Sequence, residues 1–297
     1  MKAVYWLRTG LLFVLMTGIL VVIGSVVGSF FGSWKLGFLA MFAVSIVFNL
    51  ISLFGSKRMA LSANKVTLVT YDQEPRLYST VQRLADRMNL PMPEVGVSPL
   101  PMPNAFATGR GPKNAAVVAT RQLLDLLNDD ELEGVMAHEM SHVKNRDILV
   151  MSVASMMASL IAFATRMAVY SALFSDDRNG SAFLIAILAD ITLPIAAMLI
   201  QLGVSRSREY LADESGARVT GKPLALVSAL RKLETGCSST RNTYDNPSTA
   251  DMWISDPYGK KKKRSLISLF STHPATEDRI ARLEKLDREI NGGFSQF

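Results

Sequence analysis

The sequence predicts an α-helical integral membrane protein with four spans, joined to a mainly α, α+β polar portion that carries a small β-sheet. Composition is the first reason: of 297 residues 49% are hydrophobic and only 20% charged, against roughly 25% charged in a soluble globular chain. Distribution is the second, because the apolar residues are gathered into blocks. The third is that the polar remainder falls into two segments with ordinary helix and strand patterning. A net charge of +6 on so few charged residues argues against disorder and against a nucleic-acid binder whose basic side chains coat a soluble core. The single Cys237 excludes an internal disulfide and points to no oxidising compartment.

The first two spans are read from Thr9 to Trp34 and from Leu36 to Ser56, neither of which contains an ionisable residue. Each reaches the roughly 20 residues that cross a bilayer. Lys35 alone separates them, so residues 1–61 are expected to form a transmembrane hairpin. A cleaved signal peptide fits less well, since the block exceeds a typical apolar core and lacks a small-residue cleavage site. A second hairpin is expected over 148–205, where Ile148–Phe174 is interrupted only by Arg166 and Ser181–Ser205 only by Asp190. In an antiparallel pair these two charges reach similar depth, and both mutual pairing and anchoring at the far headgroups fit that placement. Lys2, Arg8, Lys57, Arg58, Lys65, Arg206 and Arg208 flank one side, and only Lys35 and Arg178 the other. By the positive-inside bias both termini and both polar segments of this multi-pass chain face the cytoplasm.

Residues 62–147 form the first polar segment. The β-branched run Lys65–Val69 suggests a strand, and Leu77, Val81, Leu84 and Met88 mark one face of a helix. Short strands follow after Pro91, at Asn104–Gly109 and at Ala115–Thr120, and Asp129 opens a helix whose first residues are acidic. The second polar segment, 206–297, reads as helices over Arg208–Val219 and Pro223–Glu234 and then a Ser, Thr and Asn-rich loop. The cationic run Lys260–Arg264 is read as a solvated loop rather than a lipid site, and no aromatic or recognition element accompanies it to suggest nucleic acid.

The chemistry sits in His138-Glu139-Met140-Ser141-His142. On a helix, residues four apart share a face, so both imidazoles reach one ion. Glu139 lies about 100° around the helix, placed to take a proton from water rather than to ligate. A catalytic zinc needs three protein donors and an open position. The metzincin pattern is excluded, because Asn145 and Ile148 stand where glycine and histidine would be. His273 is the only other histidine. A carboxylate could serve instead: Glu209 and Asp213 lie four apart, the first able to ligate and the second to accept a hydrogen bond from a ligand imidazole. Without the zinc motif, a solvated acidic helix face together with Glu214 would be the better reading of the pair.

The chain resembles the HtpX-type membrane zinc endopeptidases, gluzincins related to the CAAX-prenyl endopeptidases. The likeness rests on the hairpin, Asn104-Ala-Phe-Ala-Thr-Gly, His138-Glu-Met-Ser-His142, two further apolar blocks, Arg208-Glu209-Tyr-Leu-Ala-Asp213, Thr272-His273-Pro274 and Asp278-Arg279-Ile280, in that order. Leu211 departs from it, where the family often has histidine. The resemblance implies a zincin-like metalloprotease domain, one Zn2+ per chain held by His138, His142 and Glu209, Glu139 as the catalytic residue, and Asp213 behind the ligands. It further implies degradation of misfolded or unassembled membrane proteins at the cytoplasmic face, as in membrane protein quality control under stress. His273 is open between stabilising the oxyanion and preceding a C-terminal helix that starts near Pro274. Asn104 is open between an ordinary turn residue and a substrate-binding one, the following strand holding the substrate backbone. The rival class is a non-catalytic zinc-binding membrane scaffold or chaperone, disfavoured because structural zinc sites are closed and usually cysteine-rich. A transporter built on Arg166 and Asp190 is disfavoured by having only four spans.

Overall fold

The computed structural model describes residues 2–30, 32–153, 206–239 and 274–292. The expected second hairpin with Arg166 and Asp190, the Lys260–Arg264 run and His273 lie outside the described residues. The described part is mainly helical with one small mixed sheet.

Helices α1 (Lys2–Phe30) and α2 (Trp34–Ala63) form the first hairpin. The Ser33 hydroxyl caps α2 by accepting from the Leu36 N–H at 3.4 Å. The two helices touch backbone to backbone: a Cβ on Gly37 would lie 2.0 Å from the Gly24 carbonyl oxygen, so only glycine fits there. Among the described residues α2 is the one helix long and apolar enough to cross a membrane. It runs past the expected boundary at 61 to Ala63, where Asn64 ends it by donating from its side chain to the Ala60 carbonyl.

The sheet has the order β1-β2-β4-β3, with β1 (Thr67–Leu68) antiparallel to β2 (Glu94–Ser98), β2 parallel to β4 (Ala115–Thr120), and β4 antiparallel to β3 (Ala105–Gly109). The expected first strand is thus cut to two residues. A short α4 (Arg121–Leu126), capped by the Thr120 hydroxyl, links the sheet to α5 (Asp129–Asn145). Leu77, Val81, Leu84 and Met88 of α3 (Pro75–Met88) pack with Val117 and with Leu132, Val135 and Met136 of α5. Leu226, Leu230 and Leu233 of α7 (Pro223–Ser239) and Leu283 and Leu286 of α8 (Thr276–Asn291) close the same core. Between them α6 (Arg206–Thr220) crosses α5.

A second apolar cluster joins the hairpin to this core. Met16 of α1 packs with Leu149, Val150 and Val153, in a helical stretch over residues 147–153. The Ser152 and Thr108 hydroxyls, 3.0 Å apart, tie that stretch to β3.

Candidate metal centre

Helix α5 is fixed at its start by a reciprocal cap. The Asn128 side chain accepts from the Glu131 N–H at 2.9 Å and Glu131 accepts from the Asn128 N–H at 2.8 Å. Glu131 also accepts from Ser228 at 2.6 Å and from Lys232 at 2.7 Å, which pins the helix to α7. Burial disfavours the Glu131 charge, but Lys232, Ser228 and the Asn128 backbone outweigh it and hold the carboxyl below its ordinary range. Every residue of α5 from Glu131 to Val143 is buried.

The spacing of the two histidines does what a helix requires. Their ring centroids are 4.8 Å apart and their Nε2 atoms 3.3 Å. From α6, Glu209 meets both: Oε2 lies 3.5 Å from His138 Nε2 and Oε1 3.3 Å from His142 Nε2. All three side chains are buried, with Glu209 fully so. Among the described residues these three could hold a metal ion. Donors about 2.0–2.1 Å from a tetrahedral ion lie about 3.3–3.4 Å apart; the two Nε2 atoms have that spacing, while each faces a different Glu209 oxygen, and one donor atom from each of the three residues lies within 4.8 Å of the others. The donor set, two imidazoles and a carboxylate, suits zinc.

Glycine makes the approach of α6 possible. A Cβ on Gly216 would lie 2.9 Å from the His138 backbone nitrogen and 3.0 Å from the Ala137 carbonyl carbon. Glu209, Asp213 and Gly216 follow at i, i+4 and i+7 and so share one face of α6. That closeness brings Asp213 Oδ1 to 2.9 Å from His138 Nδ1. Arg279 of α8 grips the same carboxylate twice, with Nε to Oδ2 at 2.8 Å and Nη2 to Oδ1 at 2.7 Å.

The electrostatics follow from these contacts. Burial opposes a charge on Asp213, yet the Arg279 guanidinium and His138 hold its pKa down at about 2. Burial likewise disfavours imidazolium, but Asp213 and Glu209 raise His138. For His142 burial is outweighed by Glu209, Asp147 and Glu139, which raise it to about 10. A metal binds neutral imidazoles, so it would compete with the protons that these carboxylates favour.

Of the other residues singled out from sequence, Glu139 is 5% exposed beside this triad, and Asn104 is 4% exposed just before β3. The Asn104 backbone is locked to the end of β4, its N–H donating to the Thr120 hydroxyl and its carbonyl accepting from the Thr120 N–H. Sequence reasoning missed what Arg279 does. Its signal was present: Arg279, Leu283 and Leu286 are the buried residues of α8, so a cation occupies one position of an apolar stripe.

A helix bearing His-Glu-x-x-His, an acidic donor from a second helix and a small mixed sheet alongside define a metal-dependent peptidase of the zincin class. The chain belongs to peptidase family M48: residues 71–287 match the model described as Peptidase family M48. It is accordingly a metalloprotease. It is 46% identical over 294 residues to a protein of Thermococcus kodakarensis named Protease HtpX homolog, covering 98% of this chain and 99% of that one. A Pyrococcus abyssi protein of the same name is 44% identical over 289 residues, covering 96% and 97%. Among solved structures, Ste24p of S. mikatae is similar at a TM-score of 0.47 and 20% identity, over 90% of this chain and 61% of that one.

Proposed function

We propose that the protein is a membrane-embedded zinc endopeptidase that cuts misfolded or unassembled membrane proteins at the cytoplasmic face. The observation that carries this is the buried convergence of His138, His142 and Glu209, with the two Nε2 atoms 3.3 Å apart and one donor atom from each residue within 4.8 Å of the others. Bound there, zinc supplies Lewis-acid polarisation of the scissile carbonyl and a lowered pKa for water. Glu139, next in the chain to His138, takes the proton from the attacking water and delivers it to the leaving amide nitrogen. Asp213 keeps the His138 proton on Nδ1, which leaves the Nε2 lone pair for the ion. Arg279 holds Asp213 in place for that task.

The site belongs at the membrane surface. Its helix ends at Asn145, three residues before the apolar block 148–205, and Glu209 follows that block by four. Polar segments 62–147 and 206–297 therefore build one domain from both sides of the second hairpin. The outward face of α2, with Leu36, Leu39, Leu50 and Phe54 exposed, suits lipid. Substrate is read as an extended segment alongside β3, one of the two edge strands of the sheet, with Asn104 at its entrance. His273 stands six residues before Arg279, whose guanidinium Nη2 is 3.5 Å from His138 Nδ1. That tether supports a place for it at the developing oxyanion.

Reconstituted Glu139→Gln protein tests the assignment. We expect zinc retained at one per chain and cleavage of a membrane-protein substrate lowered about 10²–10⁴-fold. Unchanged cleavage would overturn Glu139 as the base, and wild-type cleavage without bound metal would overturn the zinc site.

A further inference from the structure

The two imidazoles of the triad are backed differently. Behind His138 stand Asp213 and then Arg279, both within 2.9 Å of the next group. Behind His142 stands a second carboxylate. Asp147 Oδ2 lies 3.5 Å from His142 Nδ1, and Arg208 Nη1 lies 3.4 Å from Asp147 Oδ1. The order is the same on both sides: imidazole, carboxylate, arginine.

This second arrangement is built rather than incidental. Helix α5 stops at Arg146, whose φ of 61° is left-handed, a conformation that is strained for a residue with a Cβ. The turn aims Asp147 back at the last imidazole of the helix it has just left. Both partners are nearly buried, the side chains of Asp147 and Arg208 being 12% and 9% exposed. A carboxylate is costly to bury unless it is paired. His142 Nδ1 and Asp147 Oδ2 are buried without any other hydrogen-bond partner among the described residues, so each is the group available to the other.

We infer that Asp147 is a positioning residue for His142: it accepts the Nδ1 proton, turns the Nε2 lone pair toward the ion, and is itself held by Arg208. The inference rests on the zinc reading of the triad. It also has a structural consequence. Asp147 immediately precedes the block 148–205 and Arg208 follows it by three residues, so one ion pair clasps both ends of that block and joins them to the metal site.

Zinc affinity of the purified full-length protein, measured by chelator competition, is the test. Losing such an outer partner weakens metal binding about 10–100-fold, which is the result expected for Asp147→Ala. Asp147→Asn keeps an acceptor oxygen and recovers most of the affinity, with a loss under about tenfold. The visible spectrum of the cobalt-substituted protein shifts in Asp147→Ala, as a purely structural residue would not require. Zinc affinity within twofold of wild type in Asp147→Ala, or an Asn variant no better than Ala, overturns the inference. If Asp147→Ala does not fold, Arg208→Gln, which removes the cation that holds Asp147, carries the test, and unchanged affinity there is equally fatal. A wild type that binds no zinc overturns the metal reading itself, which separates the two failures.

Discussion

Helices α2 and α5 both turn polar side chains inward, and they do so in opposite surroundings. Helix α2 buries Ser45, Ser52 and Ser56 while Leu36, Leu39 and Phe54 stay 60 to 69% exposed. It is inside out relative to α3, which buries Leu77, Val81, Leu84 and Met88. Of these hydroxyls Ser45 donates to the Phe42 carbonyl of its own helix at 2.7 Å, whereas those of Ser52 and Ser56 are buried without a hydrogen-bond partner among the described residues. Helix α5 instead buries Glu131, Glu133, His138, Glu139 and His142 in an aqueous domain with an apolar core. Ionisable groups are tolerated there only when paired. Neutral polarity turned inward reports the solvent outside the helix; ionisable polarity turned inward reports the chemistry within.

The largest expected effect breaks the pairing around α5. Arg279→Leu leaves Asp213 without its guanidinium, and losing one member of a buried ion pair costs about 3–5 kcal/mol. Denaturant unfolding of the metal-free protein measures it. Ser52→Ala in α2, by contrast, should stay within about 1 kcal/mol. Equal costs would erase the distinction between the two helices.

Next comes the outer face of α2. Leu50→Asp should oppose membrane integration by about 2.5–3.5 kcal/mol, read as loss of the carbonate-resistant membrane fraction. Were this face in water, the same change would stay within about 0.5 kcal/mol. A third, smaller effect concerns the crossing of α5 and α6. Gly216→Ala puts a methyl against the His138 backbone and should cost about 1–3 kcal/mol, with zinc affinity falling because Glu209 and Asp213 move together. Unchanged affinity would show that the crossing has room to give.

These cases also mark what could be read from the sequence. The helical spacing of α3 and the acidic start of α5 announced themselves because one is periodic and the other capped locally. Helix α4 did not, since a six-residue helix carries less than two turns of pattern. Glu209 and Asp213 were legible as sharing a face, yet their meeting with His138 depends on Gly216 and on a chain path through 148–205. Asp147 read only as a boundary, because its direction is set by the left-handed turn at Arg146. Local pattern specifies elements; convergence between them is set by close approaches that leave faint marks in the sequence.

The smallest effect separates the charges of α5 by pH. The Glu131 carboxyl is held below its ordinary 4.5, so the folded chain binds that proton less readily than the unfolded chain does. Its contribution is therefore full above about pH 4.5 and is lost as the pH falls below it. Glu131→Gln should cost about 1 kcal/mol at pH 7, the size of a helix cap, and the gap from wild type should close towards pH 3. In metal-free protein His142 acts in the other direction. Its pKa is raised from 6.5 to about 10, so its contribution is full below about 6.5 and fades as the pH climbs towards 10. Unfolding midpoints of both proteins from pH 3 to 10 keep the two windows apart. A gap that persists at pH 3 would mean that the cap of α5 works through shape alone, and that the only charges α5 needs are those facing the metal.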